Sequence, residues 1–137
     1  MATLNIKQSG VWTPIAGDVN ASNPINDFVS AWTPTPWTSV TFQNGWVNAG
    51  GSSSNVQYRK IGDVVYLRGR MNPGSFGLPA FTLPSGFRPS TDIDLPTGGV
   101  VSGVWNYAFG YITTGGAYYP LNPNSITSWA VTGLFAA

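Results

Sequence analysis

Five aspartates, Asp18, Asp27, Asp63, Asp92 and Asp94, are the only carboxylate side chains in this 137-residue chain; histidine, cysteine and glutamate are all absent. That inventory sets what chemistry the chain can do. A serine triad needs an imidazole base and a cysteine protease needs a thiolate, so neither can be built. Zinc sites of the Cys and His kinds are excluded for the same reason. Glycoside hydrolysis needs two carboxylates across a cleft. The only close pair is "TDIDLP", where Asp92 and Asp94 lie on the same side if the piece is extended. With nearby carbonyls the same pair is the minimum for a Ca²⁺ site. Two carboxylates are few for either task, and aspartates capping turns are far commoner. The expectation is a protein with no catalytic residues, no metal and no cofactor.

Two other groups of residues stand out. The first is the stretch "FTLPSGFRPS", in which Pro84, Gly86, Arg88 and Pro89 form a stiff loop after a short strand. Its prolines are expected to stop strand pairing at a sheet edge, with Arg88 capping backbone carbonyls or pairing with Asp92 or Asp94. The second is aromatic. Trp105, Tyr107, Phe109 and Tyr111 recur at every second position, which puts them on one face of a strand; Tyr118, Tyr119 and Trp129 follow. Such a stripe is either core or subunit interface, or an exposed platform for sugar rings and partners. Trp105, Tyr107, Tyr118, Tyr119 and Trp129 are the candidate glycan or partner contacts.

The elements that must hold these residues read as β. Proline and glycine punctuate the chain every few residues, and no long segment has apolar residues at helical spacing. One short helix is expected within Asn23–Trp32, with Asn23 as cap and Ile25, Phe28, Val29 and Trp32 on one face. "SVTFQNGWV" is a strand with a hairpin-type Asn44-Gly45 turn. Val56–Lys60 and Val64–Met71 form a hairpin around Ile61-Gly62-Asp63, with Arg68 and Arg70 on one face and Leu67 on the other. Gly98–Leu121 holds two or three strands with a turn at Thr113–Gly116, and "SITSWAVTGLFAA" is the last strand. About eight to nine short strands at this spacing define an all-β antiparallel sandwich. Thr3–Ile15 is a possible strand pair and "WTPTPW" a proline-stiffened linker. Residues 1–36 therefore read as a docking segment and 37–137 as the sandwich.

Charge narrows the partners. Charged residues are 8% of the chain and aromatics 14%, with a net charge of +1; ordinary domains carry roughly 25% charged residues. Lys7, Arg59, Lys60, Arg68, Arg70 and Arg88 are too few for a nucleic-acid face. No apolar run is long enough to span a membrane, and "MATLNIKQSG" has no signal-peptide core. From Leu95 to Ala137, and again from Phe28 to Tyr58, there is no charged residue at all. Interfaces are poor in Asp, Glu and Lys and rich in aromatics, so an oligomer is expected.

The block Asn44–Asp92 carries a set of motifs: Asn44-Gly45-Trp46, Tyr58-Arg59-Lys60, Gly62-Asp63-Val64-Val65, Leu67-Arg68-Gly69 and Leu83-Pro84-Ser85-Gly86-Phe87-Arg88-Pro89. Together they resemble a module recurring in bacteriophage tail fibres, minor tail proteins and related virion-surface proteins. The resemblance implies a compact, jelly-roll-like β-sandwich that assembles as a homotrimer on the virion. It also implies contacts with other virion proteins and loops that meet host-surface glycans, without enzymatic activity. No functional residue of that group is fixed enough to carry over. Starting at methionine without a repetitive shaft, the chain is expected to be a stand-alone virion protein, made in the host cytoplasm and exposed on the particle. The alternatives are a capsid decoration or head-fibre protein and, further off, a lectin acting alone.

Overall fold

The computed structural model describes residues 5–8, 11–14, 29, 31–121 and 126–137. The chain divides into two compact units, residues 1–33 and 34–137. In the first, β1 (Asn5–Gln8) pairs antiparallel with β2 (Val11–Pro14). Most of the expected Asn23–Trp32 helix lies outside the described residues; Val29, Ala31 and Trp32 within it are helical. Thr33 Oγ1 donates to the Val29 carbonyl at 2.6 Å, and Pro34 then bars a further turn, because the residue before proline avoids helical dihedrals.

The second unit is all β. Its strands are β3 (Thr38–Ser39), β4 (Val47–Asn48), β5 (Gln57–Ile61), β6 (Val64–Arg68), β7 (Arg70–Asn72), β8 (Phe81–Thr82), β9 (Ile93–Val101), β10 (Val104–Ile112), β11 (Ala117–Pro120), β12 (Ile126–Ala130) and β13 (Gly133–Ala136). They form a four-stranded sheet, β13-β6-β5-β3, and a seven-stranded sheet, β4-β7-β12-β9-β10-β11-β8, with antiparallel pairing throughout. This is the expected β-sandwich, with eleven strands in place of eight or nine.

The extra strands have two sources. β3, β4 and β8 are two residues long, too short for an alternating pattern to register. The expected strand Val64–Met71 is two strands, because Gly69 turns the chain from one sheet into the other. Gly69 has φ +125°, and a Cβ there would run into the Asn55 carbonyl and lie 2.5 Å from Val56 Cα. Only glycine fits both demands. The partner ribbon bends at the same level: β12 pairs with β7, β13 pairs with β6, and Val131 N donates to the Gly69 carbonyl at 2.9 Å. A bent two-stranded ribbon thus joins the sheets along one side.

The Asn44-Gly45 turn also departs from expectation. Both residues have positive φ, 54° and 82°, and Trp46 N closes the turn on the Gln43 carbonyl at 3.1 Å. The flanks do not pair with each other, however. Phe42 bridges to Phe81 and Val47 pairs with Asn72. The turn re-aims the chain between two strands of one sheet, and Phe42 covers the free edge of β8, which would otherwise offer an open ladder.

Between the sheets lies one apolar core that includes Trp46, Val65, Leu67, Met71, Phe81, Leu83, Leu95, Ile112, Tyr118, Trp129 and Phe135; no polar or charged side chain is fully buried among the described residues. Aromatic edges organise it. Trp46 meets Phe76 edge-on at 5.0 Å, Phe76 meets Trp129 at 6.4 Å, and Phe81 stacks on Tyr118 at 4.8 Å. Such pairs contribute ~0.5–1.5 kcal/mol each beyond their buried area.

Candidate functional site: an exposed aromatic face

The long hairpin β9–β10 carries the aromatic stripe. Its turn, Ser102-Gly103, has positive φ at both residues, 49° and 81°, the geometry whose twist matches a tight hairpin. In an antiparallel ladder, residues directly opposite share a face. The register sets Trp105 against Val100, Tyr107 against Gly98, Phe109 against Pro96 and Tyr111 against Asp94, and continues to Tyr119 on β11. Residues 108, 110 and 112 are buried, so the stripe faces away from the core. Trp105, Tyr107 and Phe109 are 54%, 86% and 50% exposed. Val47 and Leu121 add exposed apolar surface. Of the two readings of the stripe, core is therefore excluded: these rings cover the outside of the seven-stranded sheet.

Local features hold the rings in place. Trp105 leans across Gly98, where a Cβ would sit 3.3 Å from its Cε3. The Arg70 guanidinium lies 4.7 Å above the Trp105 ring from the neighbouring part of the sheet, an attraction between cation and ring face. Pro96 occupies a stretch of β9 that β12 does not pair with, so its missing N–H leaves no gap in that ladder. At the far end Tyr111 donates its hydroxyl to Asp92 Oδ2 at 2.6 Å, and Thr114 N donates to Oδ1 at 2.7 Å. The Tyr111 bond and then the Thr114 amide hold the Asp92 carboxyl below its ordinary pKa, while the same bond raises the Tyr111 phenol. Tyr119 stands 6.1 Å from Tyr111 in a tilted pair.

The remaining sequence-derived candidates sit elsewhere. Tyr118 and Trp129 are fully buried, which removes both from any glycan or partner contact. Their side chains point inward because Tyr118 pairs with Ile112 and Trp129 with Met71, both core positions. Trp129 Nε1 donates to the Tyr118 hydroxyl at 3.1 Å, so the polar tip of each ring is satisfied inside the core. Burial pushes the Tyr118 phenol well above the ordinary tyrosine range. Gly110 makes room for that ring: a Cβ there would collide with the Tyr118 hydroxyl and lie 2.5 Å from Cζ.

The loop after β8 is structural in its contacts. Gly86 has φ +89°, and Phe87 N donates to the Pro84 carbonyl at 3.2 Å, closing a turn. Arg88 Nε donates to the Leu83 carbonyl at 2.8 Å, so Arg88 caps a carbonyl and leaves Asp92 to Tyr111 and Thr114. Pro89 is buried, Lys60 Nζ donates to the Gly86 carbonyl at 3.0 Å, and Phe87 packs edge-on against Tyr58 at 4.9 Å. No cluster of three or more acidic residues that could hold a metal occurs among the described residues.

Two features lay beyond the sequence reading. Arg70 and Trp105 are 35 positions apart, and nothing in their local patterns links them. The second is Trp37, whose ring centre lies 4.6 Å from the Arg59 guanidinium and 4.0 Å from that of Arg68.

The architecture is that of an antiparallel β-sandwich with one solvent-facing aromatic sheet. Among solved structures, the chain resembles the receptor binding protein (gp15) of Listeria phage PSA, with a TM-score of 0.62 at 16% identity over 83% of this chain and 72% of that one. It also aligns with the head domain of the lactococcal phage bIL170, with a TM-score of 0.49 at 24% identity over 74% of this chain and 96% of that one. The chain thus has the fold of a phage receptor-binding protein, in agreement with the virion-surface module that its central motifs resemble. No family model and no curated protein matches the sequence.

Proposed function

We propose that the chain is a virion-exposed structural protein of a bacteriophage, that residues 34–137 form its host-recognition module, and that this module works as a homotrimer. The observation that carries the reading is the outer aromatic face. Trp105, Tyr107 and Phe109 stand exposed on a sheet whose strands from Leu95 onward contain no charged residue. A monomer facing water normally carries mixed charges there, whereas an interface core lacks them and is rich in aromatics. In the trimer these three rings pack between copies, and the tyrosines and Asp92 at the far end of the stripe face outward beside the loops. Tyr111, Tyr119 and Asp92 there combine apolar ring faces with polar tips, the composition that suits a host-surface glycan. Residues 1–33 attach the module to other virion proteins. The likeness to the receptor binding protein of Listeria phage PSA supports the reading at the level of fold.

Light scattering on the purified chain tests the assembly. The expected mass is that of three copies at micromolar concentration. The double variant Tyr107→Asp, Phe109→Asp is expected to give a folded monomer with unchanged circular dichroism, since charges in a desolvated interface cost several kcal/mol, about 2–5 for an unpaired one. A wild-type monomer at every concentration contradicts the trimer. A trimer untouched by the double variant contradicts this face as its interface.

A further inference from the structure

The outer face of the other sheet carries a different composition. The pairing of β5 with β6 sets Gln57 opposite Arg68 and Arg59 opposite Tyr66, so these four side chains share the face that alternates with core residues Val65 and Leu67. Trp37 precedes β3, whose register with β5 continues to place it beside Arg59. The Arg68 guanidinium lies 4.0 Å and the Arg59 guanidinium 4.6 Å from the centre of the Trp37 ring, and Arg59 is also 6.0 Å from Tyr66. Two positive charges are thus gathered at one indole.

Neither charge has an anionic partner among the described residues. Arg68 directs Nε and Nη2 at Gln57 Oε1, at 3.1 and 2.8 Å, a fork closed on one neutral amide oxygen. Its Nη1 hydrogens remain, and the side chain is exposed. Arg59 Nε is shielded from solvent with no acceptor at all. Arg59 Nε differs in this from Arg88 Nε, which has the Leu83 carbonyl, and from Lys60 Nζ, which has the Gly86 carbonyl. Gathering two guanidiniums without a counter-charge is unfavourable by like-charge repulsion, and a shielded N–H without an acceptor adds to the cost. An oxyanion within reach of both charges reverses the first term. Guanidinium is the group suited to this, because it offers rigid paired donors and is held flat by ring stacking. The donors that remain, Arg68 Nη1 and the terminal nitrogens of Arg59, come from two strands, and the several oxygens of a tetrahedral phosphate-type ion can accept from both.

We infer that Trp37, Arg59, Arg68 and Gln57 form a binding site for a phosphate-type oxyanion on the outer face of the four-stranded sheet. The same chemistry is offered by free phosphate and by a phosphodiester within a polymer. This site stands apart from the aromatic face and does not depend on the host-recognition reading.

The test is a titration of the full chain, followed by nitrogen-15 NMR of the arginine Nε–H groups, with ionic strength held constant by sodium chloride. Inorganic phosphate and diethyl phosphate are the two probes. Saturable shifts of the Arg59 and Arg68 signals, with a dissociation constant on the order of millimolar and with Arg88 unmoved, support the site. Saturation by both probes assigns it to phosphodiesters as well; saturation by inorganic phosphate alone assigns it to the free ion. The variant Arg59→Lys keeps the charge but loses the fork, and is expected to weaken binding by about tenfold or more. Shifts that never saturate, or that chloride alone reproduces, overturn the inference. That outcome is read on the unmodified chain and does not depend on any variant folding.

Discussion

At the scale of single residues, Asp92 is the clearest case of a group whose surroundings decide its role. Both its oxygens are engaged, one by the Tyr111 hydroxyl and one by the Thr114 amide. Those donors favour the charged carboxylate, so its pKa is lowered in the folded chain. A depressed carboxyl pKa stabilises the fold fully above the ordinary value of about 4, and that contribution fades as pH falls through the lowered value. Tyr111→Phe removes the main cause, the hydroxyl hydrogen bond. The Asp92 pKa is then expected to rise towards the ordinary aspartate value, read by carboxyl carbon-13 NMR, and the pH window of that contribution narrows accordingly. A titration curve identical to wild type would show that the Tyr111 bond does not hold in solution. The partners of Asp92 were not legible in the sequence, because Tyr111 lies 19 positions away and only the β9–β10 register brings it alongside. What was legible was the Tyr111 side of the strand, since alternation alone assigns faces. Alternation failed for Tyr118 and Trp129 for a related reason: it separates two faces without saying which is inward.

At the scale of elements, the sandwich depends on how one ribbon crosses from sheet to sheet. β6 and β7 belong to different sheets although one residue separates them, and β12 and β13 follow the same bend. Gly69 carries the crossing with φ +125° and the backbone of Asn55 and Val56 against its Cα. Gly69→Ala is expected to destabilise the domain by on the order of 3 kcal/mol, from dihedral strain and overpacking together. Denaturant unfolding of the variant measures it, and an unshifted midpoint would mean that the corner is not a constraint. Most of the strands and the Gly62-Asp63 and Thr113–Gly116 turns were readable from alternation and turn residues. The crossing was not: a glycine inside an apparent strand signals a bulge or a close approach, but the sequence does not say that the chain has changed sheets. The Ser102-Gly103 turn carried a readable signal in its Ser-Gly dipeptide, and it is what lets β9 and β10 run nine residues each.

At the scale of the whole molecule, the two outer faces of the sandwich divide between them most of the polar and aromatic side chains that could meet a partner. The seven-stranded sheet presents aromatic rings, with the Arg70 guanidinium over Trp105, a composition close to that of interface cores. The four-stranded sheet presents arginines stacked on an indole. The composition of the chain foreshadowed the first face through its uncharged C-terminal stretch, since charge depletion is a property of sequence. It could not foreshadow the second, since Trp37, Arg59 and Arg68 become neighbours only through pairing of β3, β5 and β6. We propose that this sandwich is what a phage particle presents to its host. The most direct measurement is adsorption of the phage that encodes the chain to its host cells, in the presence of rising concentrations of the purified protein. Adsorption is expected to fall in a dose-dependent and saturable way as free protein occupies the receptors. Adsorption unchanged at saturating protein, with the chain labelled on the phage head instead of the tail, would contradict it.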